Sequence, residues 1–236
     1  MSSRSFMLDG RAVPYTDGQT VMQAARAARI YIPHLCYYPE FRPQGSCKLC
    51  TVKANGRQVS ACTFPAADKL VVESNTAELN QARRILLQML FVEGNHFCPS
   101  CEKSGDCLLQ ATAYELEMLT PEFPQFFPNR ELDASHPDML LDLNRCILCG
   151  LCVEASKTAD RKNVFAISGR GMHNHVIVNS PSGRLGDSAF SAADRAADVC
   201  PVGAILHKRR GFCTPIGCRQ YDHQTVSEQV NENESE

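Results

Sequence analysis

The sequence contains no tryptophan, and aromatic residues make up only 7% of its 236 positions. It has no long apolar run either. Ile85 to Val92 is short and broken by Gln88, far below the ~18 uninterrupted apolar residues a membrane span needs. Neither sign of charge dominates: 24 basic and 26 acidic residues give a formal net charge of -2. That removes the broad basic footprint of a nucleic-acid binder and leaves only the run His207, Lys208, Arg209 and Arg210 as solvated surface or a docking patch. There is no phosphate-binding G-x4-G-K-S/T loop, and Gly169-Arg170-Gly171 lacks the third glycine and the strand-turn-helix setting of a dinucleotide fingerprint. No G-x-S-x-G or H-E-x-x-H occurs, so neither hydrolase nor metalloprotease chemistry is indicated.

What the chain has in excess is sulfur. Thirteen cysteines are several times what a globular chain of this length uses for packing. A secreted disulfide framework calls for a signal peptide and an even count; Met1 to Gly10 has no apolar h-region, and thirteen is odd. The expectation is a cytoplasmic chain in a reducing compartment, with metal-bound thiolates.

Short strands and turns fill the first eighty residues. Ser5 to Leu8 and Ala12 to Tyr15 flank Asp9-Gly10, and Thr51 to Lys53 and Gln58 to Ala61 flank Asn55-Gly56, both type I′ hairpin signals. Thr20 can cap a helix running to Ile30, and Lys69 to Glu73 reads as a closing strand. Together these predict a small mixed sheet wrapped on one helix. From Thr76 the period becomes 3.6, placing Leu79, Ala82, Ile85, Leu86, Met89 and Leu90 on one helical face. A shorter helix follows over about Asp106 to Met118, and then the prolines of PEFPQFFP (121–128) impose an extended connector whose rings are expected to pack on neighbours. Further on, Met139 to Leu143, Val164 to Ser168 and Val176 to Val178 read as strands and Cys149 to Ser156 and Ala189 to Val199 as helices. The acidic last ten residues, SEQVNENESE, read as a disordered tail.

The cysteines fall into groups by spacing. Cys36, Cys47, Cys50 and Cys62 follow C-x10-C-x2-C-x11-C. A 2Fe-2S rhomb takes two thiolates per iron, which a close-wrapped loop can supply; zinc sites more often present two C-x2-C knuckles, and only one is present here. His96, Cys98, Cys101 and Cys107 follow as H-x1-C-x2-C-x5-C, three thiolates and an imidazole for one 4Fe-4S cube. Cys146, Cys149 and Cys152, closed by Cys200-Pro201 after 47 intervening residues, suit a second 4Fe-4S cube. Cys213 and Cys218 are left as free thiols. His34, His136, His173, His175 and His223 read as surface or loop histidines, and no residue reads as catalytic.

The order of these motifs, together with CPxCxxxGxCxLQ over Cys98 to Gln110, resembles the N-terminal region of the large iron-sulfur subunit of respiratory complex I and its relatives. In complex I three residues separate the histidine from its cysteine, whereas here a single residue separates His96 from Cys98. The relatives include diaphorase small subunits of NAD-reducing nickel-iron hydrogenases, NAD-linked formate dehydrogenases and iron-only hydrogenases. With only about 36 residues after Cys200, the stand-alone diaphorase small subunit is the member it most resembles. The resemblance implies an α+β chain of four parts: a β-grasp 2Fe-2S ferredoxin-like module (1–76), a small helical module with one histidine and three cysteine ligands (77–120), a ferredoxin-like 4Fe-4S module (121–212) and a C-terminal extension flexible at its end (213–236). It also implies an electron-transfer subunit of an oxidoreductase, hydrogen:NAD+ above all. One partner would be a flavin- and NAD-binding diaphorase subunit, the others the small and large nickel-iron hydrogenase subunits, with neither nucleic acid nor membrane involved. The rivals are a formate dehydrogenase or complex I-like subunit, a cluster-based redox sensor, and a zinc-binding interaction protein.

Overall fold

A computed structural model describes residues 4–232 of the chain. Strands β1 (Ser5–Leu8), β2 (Arg11–Pro14), β3 (Thr51–Ala54), β4 (Arg57–Ser60) and β5 (Val71–Glu73) form a five-stranded sheet in the order β2-β1-β5-β3-β4. β1 runs parallel to β5, and the other pairings are antiparallel. Both hairpins turn where expected, with positive φ at Asp9 and Gly10 and at Asn55 and Gly56, the pairing a type I′ turn requires. Helix α1 (Val21–Ala27) starts at Thr20 in a capping box with Gln23, and it buries Val21, Met22, Ala24 and Ala25 against Phe6, Leu8, Val52 and Val72 of the sheet.

Helix α2 (Ala77–Glu93) is capped by the Thr76 side chain, but its buried face differs from the one periodicity indicates. Leu79, Arg83, Leu87, Gln88 and Val92 are buried, while Ala82 and Met89 are exposed. The cause is Arg83, which donates to the carbonyls of Leu49, Thr51 and Ser74 and so turns that face inward. A short helix, α3 (Leu108–Glu115), follows.

The connector at 121–128 is extended, yet its rings do not pack on neighbours as expected: Phe126 is 68% exposed and Phe127 77%. Only the backbone and Gln125 are tied down. Phe126 N–H donates to Val92 O, and Gln125 Nε2 donates to Gly94 O.

The C-terminal module joins β6 (Leu132–Asp133), β7 (Met139–Asp142) and β10 (Ile205–His207) in one antiparallel sheet, with β8 (Phe165–Ser168) and β9 (His175–Val178) as a hairpin. The helix expected over 189–199 shortens to α5 (Arg195–Asp198), and α4 (Leu151–Thr158) packs on it and on β8. Upstream of α5, Ser188 Oγ and Asp194 Oδ2 accept the N–H groups of Phe190 and Ser191, local bonds that compete with a helical ladder.

The tail also departs from expectation. Residues Val226–Glu232 form helix α6, packed on α3. Thr225 and Glu228 make reciprocal capping bonds, and Ser227 N–H donates to Glu115. Residues 233–236 lie outside the described part. No helix among the described residues is long and apolar enough to cross a membrane.

Asp133 pins this module together: Oδ2 accepts Leu185 N–H at 2.6 Å and Oδ1 accepts Ser135 N–H at 2.9 Å. Burial alone would raise its pKa, but these donated N–H groups hold it below the usual carboxylate value. The stabilisation is present above the unfolded-chain pKa of ~3.9 and is lost as pH falls through the lower folded value. Asp133→Asn is therefore expected to flatten the acid limb of a stability-pH curve, measured by denaturant midpoints from pH 6 downward; an unchanged limb would contradict this.

Candidate iron-sulfur sites

All thirteen cysteines are free thiols. In the first group the structure brings the sulfurs together in two pairs: Cys36 and Cys47 Sγ are 3.3 Å apart, as are Cys50 and Cys62. Paired thiols of this kind match the two-per-iron demand of a rhomb. Contact within each pair lowers one thiol, Cys36 and Cys50, by hydrogen bonding from its neighbour, and raises the other, Cys47 and Cys62. Cys62 comes from the turn just after β4, and the other three sit in the loops between α1 and β3. Cys47 N–H points at Cys36 Sγ, 3.4 Å away, and Gly45 supplies the positive φ that the loop needs to wrap.

The second group lies between α2 and α3. Cys98 begins a 3-10 turn with Pro99, and Cys107 is the residue before α3. Burial pushes the Cys107 thiol up to about 12, with Cys101 and Cys98 adding to the shift. His96 packs edge-on against Phe91. Its Nε2 is buried with no hydrogen-bond partner, although buried polar atoms normally have one. A Cβ on Gly94 would come within 2.6 Å of that nitrogen, so only glycine leaves room for the ring. Burial, then the charges of Arg145 and Arg130, lower the His96 pKa to about 4, which leaves a neutral imidazole, the form that binds metal.

Cys146, Cys149, Cys152 and Cys200 line one small apolar cavity with Leu141, Val176 and Val202. Cys149 and Cys152 are half-buried, and desolvation followed by their cysteine neighbours raises both thiols well above the ordinary value. Gly150 adopts a left-handed conformation that starts α4 between Cys149 and Cys152. Among the described residues no three histidine, cysteine, aspartate or glutamate side chains converge on a single ion's position.

Outside the three groups, Cys213 and Cys218 are exposed. His136 is buried rather than at the surface: Nδ1 accepts from Asp138 N–H and Met139 N–H, and Nε2 contacts Phe190 O. His34 is held between the rings of Tyr31 and Tyr37. The basic run is largely occupied, with Lys208 donating to the Ala134 and His136 carbonyls and Arg209 paired to Asp138. Residues 217–222 form a strap that motif reading missed: Tyr221 N–H donates to Gly105 O, Gln220 N–H to Asp106, and Arg219 to Ser104 O. Arg83 and Arg145 were missed as well, since neither lies in a recognisable spacing.

Ferredoxin-like modules bearing grouped thiols define an iron-sulfur protein. A 2Fe-2S iron-sulfur cluster binding domain model matches residues 3–77, an NADH-ubiquinone oxidoreductase-G iron-sulfur binding region matches 83–121, and a 4Fe-4S single cluster domain matches 139–206. The chain is 40% identical to the NAD-reducing hydrogenase HoxS subunit gamma of Cupriavidus necator, over 96% of this chain and 97% of that protein. It belongs to that gamma-subunit family. A chain in the crystal structure of an NAD+-reducing NiFe hydrogenase in the H2-reduced state is similar at 53% identity, with a TM-score of 0.93, covering 97% of this chain and 99% of that one. More distant relatives include an NADH-quinone oxidoreductase subunit of Rickettsia typhi, 30% identical over 87% of this chain, and the NADPH-Fe(3+) oxidoreductase subunit alpha of Geobacter sulfurreducens, 29% identical over 86%. The chain spans only 30% and 24% of their lengths.

Proposed function

We propose that this chain is the iron-sulfur electron-transfer subunit of an NAD-reducing hydrogenase complex. It relays electrons between a nickel-iron hydrogenase pair, small and large, and a flavin- and NAD-binding diaphorase subunit. The supporting observation is a shared apolar core. Leu35 and Leu49 from the first module, Leu87, Cys107 and Leu109 from the second, and Val202 and Ala204 from the third pack together, with Cys47, Cys146 and Cys200 against them. One ligand loop from each module thus meets at a common dry hub, which suits a row of carriers rather than three separate sites.

In this reading Cys36, Cys47, Cys50 and Cys62 hold a 2Fe-2S cluster. His96, Cys98, Cys101 and Cys107 hold one 4Fe-4S cluster, and Cys146, Cys149, Cys152 and Cys200 hold another. The modules run over 1–76, 77–120 and 121–212, with 213–236 as the extension. The clusters, when bound, carry single electrons; the chain itself supplies no catalytic residue. Its thiols lose their protons to iron, its core excludes water, and the imidazole makes the middle site one unit less negative than a thiolate would, which raises its potential. Thirteen reduced thiols suit a cytoplasmic setting.

Metal analysis of the anaerobically purified assembly tests this. About ten iron atoms per chain are expected from one 2Fe-2S and two 4Fe-4S clusters, with a nickel-containing partner co-purifying. Stoichiometric zinc with little iron would overturn the cluster reading, and a molybdenum enzyme as partner would favour a formate dehydrogenase.

A further inference from the structure

Arg145 stands directly before Cys146, the first cysteine of the C-terminal group, but its side chain leaves that module. Nε is 2.9 Å from Asp142 Oδ2, Nη1 is 2.8 Å from Glu102 Oε2, and the same Nη1 is 3.5 Å from Cys101 Sγ in the middle group. The side chain is 19% exposed, so these contacts are poorly screened. Two carboxylates hold the guanidinium through Nε and Nη1, and Nη1, shared with Glu102, also reaches the sulfur. Space for this is made by Gly203: a Cβ there would lie 3.1 Å from Cys101 Sγ and 3.3 Å from Arg145 Nη1.

A second contact crosses the same seam. The carbonyl of Pro201, next to Cys200, accepts Leu108 N–H at 2.9 Å and lies 3.7 Å from Cys107 Sγ. At both points a residue bonded to a C-terminal cysteine touches a middle-group cysteine or its neighbour.

We propose that Arg145 is a positioning residue that sets the potential of the middle cluster and fixes it against the C-terminal one. The inference rests on the ligand sets proposed above. An N–H donor carrying positive charge withdraws electron density from a thiolate sulfur, and the reduced cluster, being more negative, gains more from this than the oxidised one. Arg145 therefore raises the middle potential. Lysine cannot replace it, because a single ammonium cannot reproduce the planar fork that meets Asp142, Glu102 and Cys101 together.

The test is a redox titration followed by electron paramagnetic resonance on the full assembly, with iron counted in each sample. In Arg145→Gln the middle cluster's reduced-to-oxidised ratio at fixed ambient potential is expected to fall about tenfold, equivalent to ~59 mV for one electron. The other two clusters should keep their midpoints. Gly203→Ala keeps the charge but drives a methyl between Arg145 and Cys101, so it should shift the same midpoint in the same direction. It decides the matter if Arg145→Gln fails to retain iron. An unmoved middle midpoint in either iron-replete variant overturns the proposal, as does an equal shift of all three clusters, which a merely structural change would give. Should the unmodified protein hold iron for only one cubic cluster, the ligand reading itself fails and this inference goes with it; the iron count on that sample separates the two failures.

Discussion

Replacing His96 by alanine is expected to strip about four of the roughly ten iron atoms from each chain, leaving the other two paramagnetic signals in place. In the proposed ligand set the ring is more than an incidental neighbour of the cysteines. Its Nε2 is buried without a partner, an arrangement that costs ~1–3 kcal/mol if nothing is bound there. Gly94 has no side chain to obstruct it. His96→Cys should keep the cluster but lower its potential, since a thiolate returns one negative charge. Retention of full iron and all signals in His96→Ala would remove the residue from the ligand set. The iron-free chain offers a second readout. The folded ring titrates at about 4 and the unfolded one at ~6.5. Between these values the unfolded chain binds a proton that the folded chain does not, so stability falls as pH drops across the window. In His96→Ala that part of the slope should disappear.

Replacing Arg83 by methionine is expected to cost roughly 3–5 kcal/mol in the N-terminal half and to release the 2Fe-2S centre first. The side chain is 2% exposed and spends its donors on Leu49 O, Thr51 O and Ser74 O at 2.8 to 2.9 Å, with Asn80 and Ser74 side chains completing the set. Methionine would fill the space and leave three buried carbonyls unpaired, each costing ~1–3 kcal/mol. Leu49 lies between Cys47 and Cys50, so the loss falls on the ligand loop itself. The check is visible absorption of the 2Fe-2S centre during thermal unfolding. Loss of that signal at a lower temperature than in the parent, ahead of the C-terminal cluster, is the expected outcome; coincident, unshifted transitions would contradict it.

What could be read from sequence was what is decided locally. The Asp9-Gly10 and Asn55-Gly56 turns need only their own backbone preferences, and the Thr20 capping box is complete within four residues. Thiol spacing grouped the cysteines because adjacent ligands on one loop must have short separations. Decisions made across the fold were hidden. The start of α5 is set by Asp160, whose carboxylate accepts Arg195 N–H and Ala196 N–H from a distant segment. The inward face of α2 is chosen by an arginine, which hydrophobic periodicity counts as exterior. The one avoidable miss is α6: Thr225 and Glu228 form a capping-box pair three residues apart, a local signal outweighed by the acidic composition of the tail.

The strap at 217–222 has a consequence in time. It fastens onto the loop between Cys101 and Cys107, and Arg219 reaches so close that Gly105 can be nothing larger without displacing it. All of its residues follow Cys200, the last of the twelve proposed ligands. A ribosome that has finished the middle module must still make the whole C-terminal module before the latch exists. The loop between Cys101 and Cys107 is therefore without its bonds to Arg219, Gln220 and Tyr221 until the C-terminal segment has been synthesised.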